Sequence, residues 1–474
     1  MRVKALLPYK ATIQGSITTM IPSLLVVVLM TLFSACQSEE TTGDDVHQTS
    51  LAFHVSTNRV ATRMSDAVTQ QKEQEFRGIQ DLWLFPFKGD GISLGGNVIA
   101  DAKDILDENN NGKPLKYIEG DPLNYCDENS PVIPEETARF LCYAKAKVPE
   151  DADPFTYGSL QPSITGSVSS ITPATVTFTP KEITASVLSD NGLEVITSDP
   201  TDENNKNKDD RFIYPPELYY FANSKIKTSM DTQIDYYNLS WSDVLQRYEN
   251  SDATYESGVV SVAIINPLHY AVGCLQIGLV VNALLEDAVG TVITLSAGTT
   301  STEGTFPLTG VFVTGQRQQG YDFTPVSTSP EKILYDKSIL GVTMGDSKTT
   351  TPATATPTAF SNTLVLQTID GENERFALEF LNNSGAPFQG ADGEVAVGGK
   401  FYLVGTIQVT TGHAGTEAYK NRVFTKDYIT QGVVKIESLK QAYTYLPDLM
   451  DPRLEVTLKL EPDWIQSTTT NVPL

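Results

Sequence analysis

The chain has 474 residues, 40% of them hydrophobic and 19% charged, which is enough apolar material to core two or three domains. Its 58 acidic against 34 basic residues leave a net charge of −24. That balance argues against nucleic acid and anionic membrane as electrostatic partners and suits a soluble, self-repelling surface.

The N-terminus reads as a targeting segment. Arg2, Lys4 and Lys10 precede Leu24–Phe33, a ten-residue apolar run that is too short to span a bilayer but suits the core of a signal peptide. Met20, just ahead of the run, is a second candidate start. The run closes at Phe33-Ser34-Ala35-Cys36, which resembles a lipoprotein signal-peptidase site: Ser34 and Ala35 are small, and Cys36 would carry the lipid. Phe33 stands where Leu is usual, and an ordinary secretory signal with an incidental cysteine is the alternative. Removing residues 1–35, which hold three basic and no acidic side chains, takes the net charge from −24 to −27.

Gln37–Asp45 is polar and acidic, a tether. Ser50–Ser56 then alternates, with Leu51, Phe53 and Val55 on one face of a short first strand. Arg59 and Arg63 follow in the polar segment Ser56–Ser65. Ile79–Phe87 reads as a central strand ending at the turn Gly89-Asp90-Gly91. From Leu94 to Asp153 the pattern is loop-rich. Asp107, Asn109, Asn111 and Gly112 match the opening of a calcium loop, but Ile118 holds the position a bidentate Glu would need, so the segment reads as a turn. Thr137–Val148 and Thr175–Pro180 are further strands. Asp199–Asp210 is an exposed loop, and Trp241–Tyr248 a short amphipathic piece.

Residues 250–258 turn polar and mark a domain boundary. Val259–Ile265 and the apolar run Tyr270–Leu285 open the second domain. Strands or edges follow at Gly290–Leu308, Gly310–Gly315, Leu364–Leu366 and Glu374–Phe380, with a Thr/Pro loop at Thr349–Thr358. Phe401–Val409 is rich in β-branched and aromatic residues and reads as a strand. Val423–Thr430 and Gly432–Ile436 read as two more, then a short turn or helical piece at Ser438–Tyr443. Leu454–Leu460 alternates strictly, placing four apolar side chains on one face before Trp464.

The phrases VFTKDYIT, SLKQAY, LPDL and LEVTLKLEPDW, in this order after FYLVGTI, resemble the C-terminal signature of Bacteroidales fimbrillins, the subunits of type V pili. The likeness is sharp from Phe401 to Trp464 and reduces to layout upstream. The acidic run behind Cys36 is similar to the surface-export signal of Bacteroidetes lipoproteins. The resemblance implies an all-β chain of two tandem β-sandwich (transthyretin-like) domains with loop insertions. Its divisions are a lipoprotein signal peptide at 1–35, an acidic tether with a removable first strand at 36–63, an N-terminal sandwich at 64–254 and a C-terminal sandwich at 255–474. It further implies cleavage by an Arg-specific protease behind the first strand, at Arg63 or Arg59. Thr62-Arg63-Met64-Ser65 is the closer match to the family's cleavage context. Other fimbrillin subunits would be the partners, with 465–474 as a terminal donor strand. The outer membrane would be a partner through the palmitate-type lipid on Cys36 until processing. A parallel sheet or a mainly helical chain would contradict this reading.

Little else in the sequence carries chemistry. Cys126 and Cys142 are a candidate disulfide for an oxidising compartment, and Cys274 lies in an apolar run as a small hydrophobe. His47, His54, His269 and His413 have no metal-ligand spacing, and no catalytic motif or phosphate-cradling loop occurs. The expectation is therefore a structural protein with no catalysis, cofactor, metal or nucleic-acid partner. A surface glycan-binding lipoprotein is the alternative; such proteins are typically helix-rich, and this chain is strand-rich.

Overall fold

The computed structural model describes residues 50–54, 79–87, 115–117, 125–126, 139–148, 155, 158, 160, 162–165, 175–193, 211–229, 235–237, 259–264, 268–295, 305–339, 341–352, 354–409, 421–452, 454, 458–460 and 463–466. Regular structure in these residues is almost all strand, and Ala185–Asp190 is the one helix among them. The chain is an all-β sandwich protein.

The first sheet runs, edge to edge, Ser50–His54, Val259–Ile264, Tyr219–Ser229, Arg139–Ala146, Ile79–Phe87, Leu115–Tyr117 and Tyr125–Cys126. The apolar and aromatic content of Ile79–Phe87 is explained by its place inside this sheet, antiparallel to Arg139–Ala146 over nearly its whole length. One face carries Trp83, Phe85, Tyr143, Tyr219 and Phe221. Tyr143 meets Phe85 edge-on at 5.5 Å and Phe178 at 4.9 Å, and Trp83 stacks on Tyr219 at 5.9 Å. Such offset and edge contacts suit the ring quadrupoles. Residues on both sides of position 254 share this sheet, because Val259–Ile264 and His269–Tyr270 pair with Tyr219–Ser229.

The chain crosses at Ala271-Val272 into a sandwich of two mixed sheets. In the first, Gly273–Asn282 lies parallel to Tyr428–Ile436, which pairs antiparallel with Asp463–Gln466. In the second, the order is Leu458–Leu460, Lys400–Ile407, Glu374–Leu381, Leu308–Gln316, Lys332–Asp336 and Phe212–Ile213. Leu275, Ile277, Leu279 and Val281 fill the space against Val311, Val313, Phe376, Leu378 and Phe380. The outer face of the second sheet is also covered: Phe312, Tyr335 and Tyr402 pack on Phe155, Leu188 and Tyr214, and on Leu446 and Leu449. Buried there, Glu379 accepts hydrogen bonds from Thr309 Oγ1 at 2.8 Å and Tyr402 Oη at 3.1 Å, with Lys400 Nζ at 3.1 Å. A charge so deep requires such pairing.

Parallel strands lie inside both sheets of the sandwich, next to antiparallel ones. The place of Gly273–Asn282 explains its apolar run, interrupted at Gln276: flanked on both sides, its residues from Gly273 to Val281 are all buried, as parallel strands in a covered sheet are. The candidate bridge between Cys126 and Cys142 is corrected. Cys142 is a buried free thiol, its pKa pushed up by burial. Cys126 sits three strands across the sheet. At about 4.8 Å per strand that separation is roughly 14 Å, about twice the reach of a disulfide.

Candidate assembly surface

A structural subunit must present main chain or apolar surface to its neighbours, and sheet edges are the places to look. The expected first strand forms as Ser50–His54, at the outermost position of the first sheet. Among the described residues it pairs in parallel with Val259–Ile264 alone, in the register Leu51↔Val260 and Phe53↔Val262. The neighbouring strand is held independently, since Val259–Ile264 also pairs antiparallel with Tyr219–Ser229. Loss of Ser50–His54 would therefore uncover one edge and leave the next strand anchored. Cys36, Val55, Arg59 and Arg63 lie outside the described residues, as do the calcium-loop match at 107–112, His47 and His413.

The second edge is at the C-terminus. Among the described residues Asp463–Gln466 is the outermost strand of its sheet, with Thr430↔Trp464 and Tyr428↔Gln466 in register. Ile465 and Gln466, the first two residues of the expected donor segment, are thus paired within their own chain; 467–474 lie outside the described residues.

The phrase VFTKDYIT behaves differently from its strand reading. Val423–Asp427 is irregular, and the strand begins at Tyr428. Asp427 adopts a left-handed φ of 67°. Its carboxylate accepts from Tyr270 N at 3.2 Å and lies 3.2 Å from His269 Nδ1. Lys426 Nζ donates to the carbonyl of Asp322 and sits 5.5 Å from the Phe221 ring centroid. Burial pulls this ammonium below the usual lysine range; Asp322 and Asp427 oppose the shift, and Arg422 adds to it. The polar residues of the phrase face the first sheet where it meets the sandwich. Sequence reasoning took them for strand and missed the Tyr321–Phe323 loop they hold. The one signal available was a Lys-Asp pair interrupting an otherwise apolar run.

Among the described residues no group of three or more His, Cys, Asp or Glu is placed to hold a metal ion, and no helix is long and apolar enough to cross a membrane.

No family model matches the chain, and no curated protein matches it. Among solved structures it is similar to a cell adhesion protein of Bacteroides eggerthii, described there as putative, at 11% identity and a TM-score of 0.36, covering 90% of this chain and 98% of that one. A fimbrilin of Porphyromonas gingivalis is similar at 9% identity and a TM-score of 0.33, covering 90% and 100%. The fimbrial anchor protein Mfa2 of the same organism is similar at 8% identity and a TM-score of 0.29, covering 88% and 99%. Likeness at this level leaves the functional reading to the residues themselves. These three solved structures are described as a fimbrial subunit, a fimbrial anchor and a cell adhesion protein.

Proposed function

We propose that the chain is a structural subunit of a cell-surface fimbria, exported as a lipoprotein through Cys36 and built into the shaft by strand exchange. An Arg-specific protease cuts at Arg63, or at Arg59, and frees the lipidated peptide with the first strand. The edge of Val259–Ile264 then accepts a strand from another subunit, and adhesion by the assembled fibre is the output. Main-chain hydrogen bonds supply affinity in such an exchange, and alternating side chains set register. The protein has no catalytic role in this reading.

The observation that carries the reading is the position of Ser50–His54: among the described residues it is outermost in its sheet and held by one neighbour alone. The phrases from Phe401 to Trp464 support it from the sequence. Leu51, Phe53 and Val55 would each contribute about 1.5–3 kcal/mol if fully buried, so the uncut strand blocks exchange. The test is an Arg59→Ala/Arg63→Ala double variant, followed by electron microscopy of the cell surface. The reading predicts exported, lipidated, monomeric protein and bare cells. Fibres of ordinary length from the double variant would contradict it.

A further inference from the structure

The second sheet of the sandwich sends one loop out of its own layer. Between Leu308–Gln316 and Lys332–Asp336 the chain turns through Gln319–Thr324. Gln319 and Gly320 pair with Phe178 and Thr177, and Phe178 packs on the first sheet. Phe323 at the loop tip is fully buried, in a cluster made mostly of first-sheet residues and Phe178. It stacks on Phe178 at 4.2 Å and lies 6.0 Å from Tyr143, 6.2 Å from Tyr219 and 6.1 Å from Phe221.

The loop is fixed in this pose from several sides. Phe323 has a φ of 57°, a left-handed backbone that a bulky residue adopts only where its surroundings determine it. Phe323 N donates to Gly320 O at 2.9 Å, Gly320 N to Thr324 O at 2.8 Å, and Thr324 Oγ1 to Asp322 Oδ1 at 2.5 Å. Two side chains then tie the loop to the first sheet, Tyr143 by a hydrogen bond and Lys426 by its contact with the Phe221 ring. Tyr143 Oη donates to Tyr321 O at 2.7 Å, and Lys426 Nζ donates to Asp322 O while covering the Phe221 ring. Such partners offset the cost of burying a lysine beside an aromatic face.

We propose that the Gln319–Thr324 loop, with Phe323 as its tip and Lys426 as its brace, couples the first sheet to the C-terminal sandwich so that the two open as one cooperative body. Without it, the aromatic face of Trp83, Tyr143, Tyr219 and Phe221 loses the ring that fills it, and the first sheet opens at lower free energy than the sandwich. The inference concerns the folded subunit and holds whether or not strand exchange assembles it.

The test is hydrogen exchange by mass spectrometry on the full chain across a urea series. Peptides from 139–146 and 219–223 report on the first sheet, and peptides from 374–381 and 400–407 on the sandwich. In the unmodified chain both sets lose protection at one midpoint. In Phe323→Ala the first set loses protection on the order of 1 M lower in urea while the second keeps its midpoint. Lys426→Met gives a smaller separation in the same direction. Phe323→Leu, which keeps most of the apolar volume, is read in the same way if the alanine variant does not accumulate. Equal shifts of both sets, or no shift of either, would overturn the proposal.

Discussion

Glu374 is 2% exposed, with Thr314 Oγ1 donating to its Oε2 at 2.7 Å and, among the described residues, no hydrogen-bond partner at its Oε1. Burial pushes its carboxyl up to about 8; the Thr314 bond opposes the rise, Glu331 and Glu372 add to it, and Arg317 opposes it. Between the ordinary glutamate value of about 4.5 and this raised value, the unfolded chain gives up a proton that the folded chain keeps. Stability therefore falls as pH rises from about 4.5 to about 8 and levels off above. At about 1.4 kcal/mol per unit the full effect is a few kcal/mol. Glu374→Gln should flatten this part of the profile and raise stability at pH 8, read as urea midpoints at pH 5 and pH 8. An unchanged slope would contradict the assignment. Nothing in the sequence distinguishes Glu374 from the other acids, because its burial follows from the bulge beside Gly315 and from the layers around it. Lys426 and Phe323 were hidden for the same reason: their partners lie far away along the chain.

At the scale of elements, the strands with strong apolar or β-branched patterns were legible. Ile79–Phe87, Glu374–Leu381 and Lys400–Ile407 form within a residue or two of their expected limits. The alternation of Leu454–Leu460 was read correctly where the structure describes it: Leu458 and Leu460 are buried, and Lys459 is exposed. Val423–Thr430 failed as a single strand because Asp427 takes a left-handed turn and the chain spends Lys426 and Asp427 on the junction. Gly405 within FYLVGTI has a packing reason. A Cβ there would lie 2.4 Å from the Phe376 ring and 2.8 Å from Leu458 Cβ. Gly405→Ala should cost about 1–3 kcal/mol by overpacking, measurable by thermal or urea unfolding, and a neutral result would mean the ring can move aside. The C-terminal strand gives another expectation. Truncation after Gln466 should leave monomer stability intact and stop fibre growth. Truncation after Pro462 should also destabilise the monomer, because it removes the pairs with Tyr428–Gln431. Fibres of normal length from the first truncation would remove 467–474 from the assembly account.

For the whole molecule, composition indicated the class of fold but not how the sheets interlock. The polar stretch at 250–258 suggested a clean division, whereas strands beyond it return to the first sheet and Phe212–Ile213 joins the second sheet of the sandwich. Parallel neighbours such as Gly273–Asn282 and Tyr428–Ile436 lie far apart in sequence, and periodicity carries no record of who pairs with whom. Charge, by contrast, is legible directly. A processed subunit that keeps a large negative charge should elongate fibres several-fold faster as ionic strength rises from about 10 to about 150 mM, because the screening length falls from about 30 to about 8 Å; light scattering of purified trimmed subunits would follow this, and a slower rate in salt would contradict it. The account as a whole rests on release of the outermost strand. Its most direct test is N-terminal sequencing of the chain taken from purified fibres. The account predicts a start at Met64, or at Val60 if Arg59 is the site cut. A fibre chain that still begins at Cys36, carrying Ser50–His54, would contradict it.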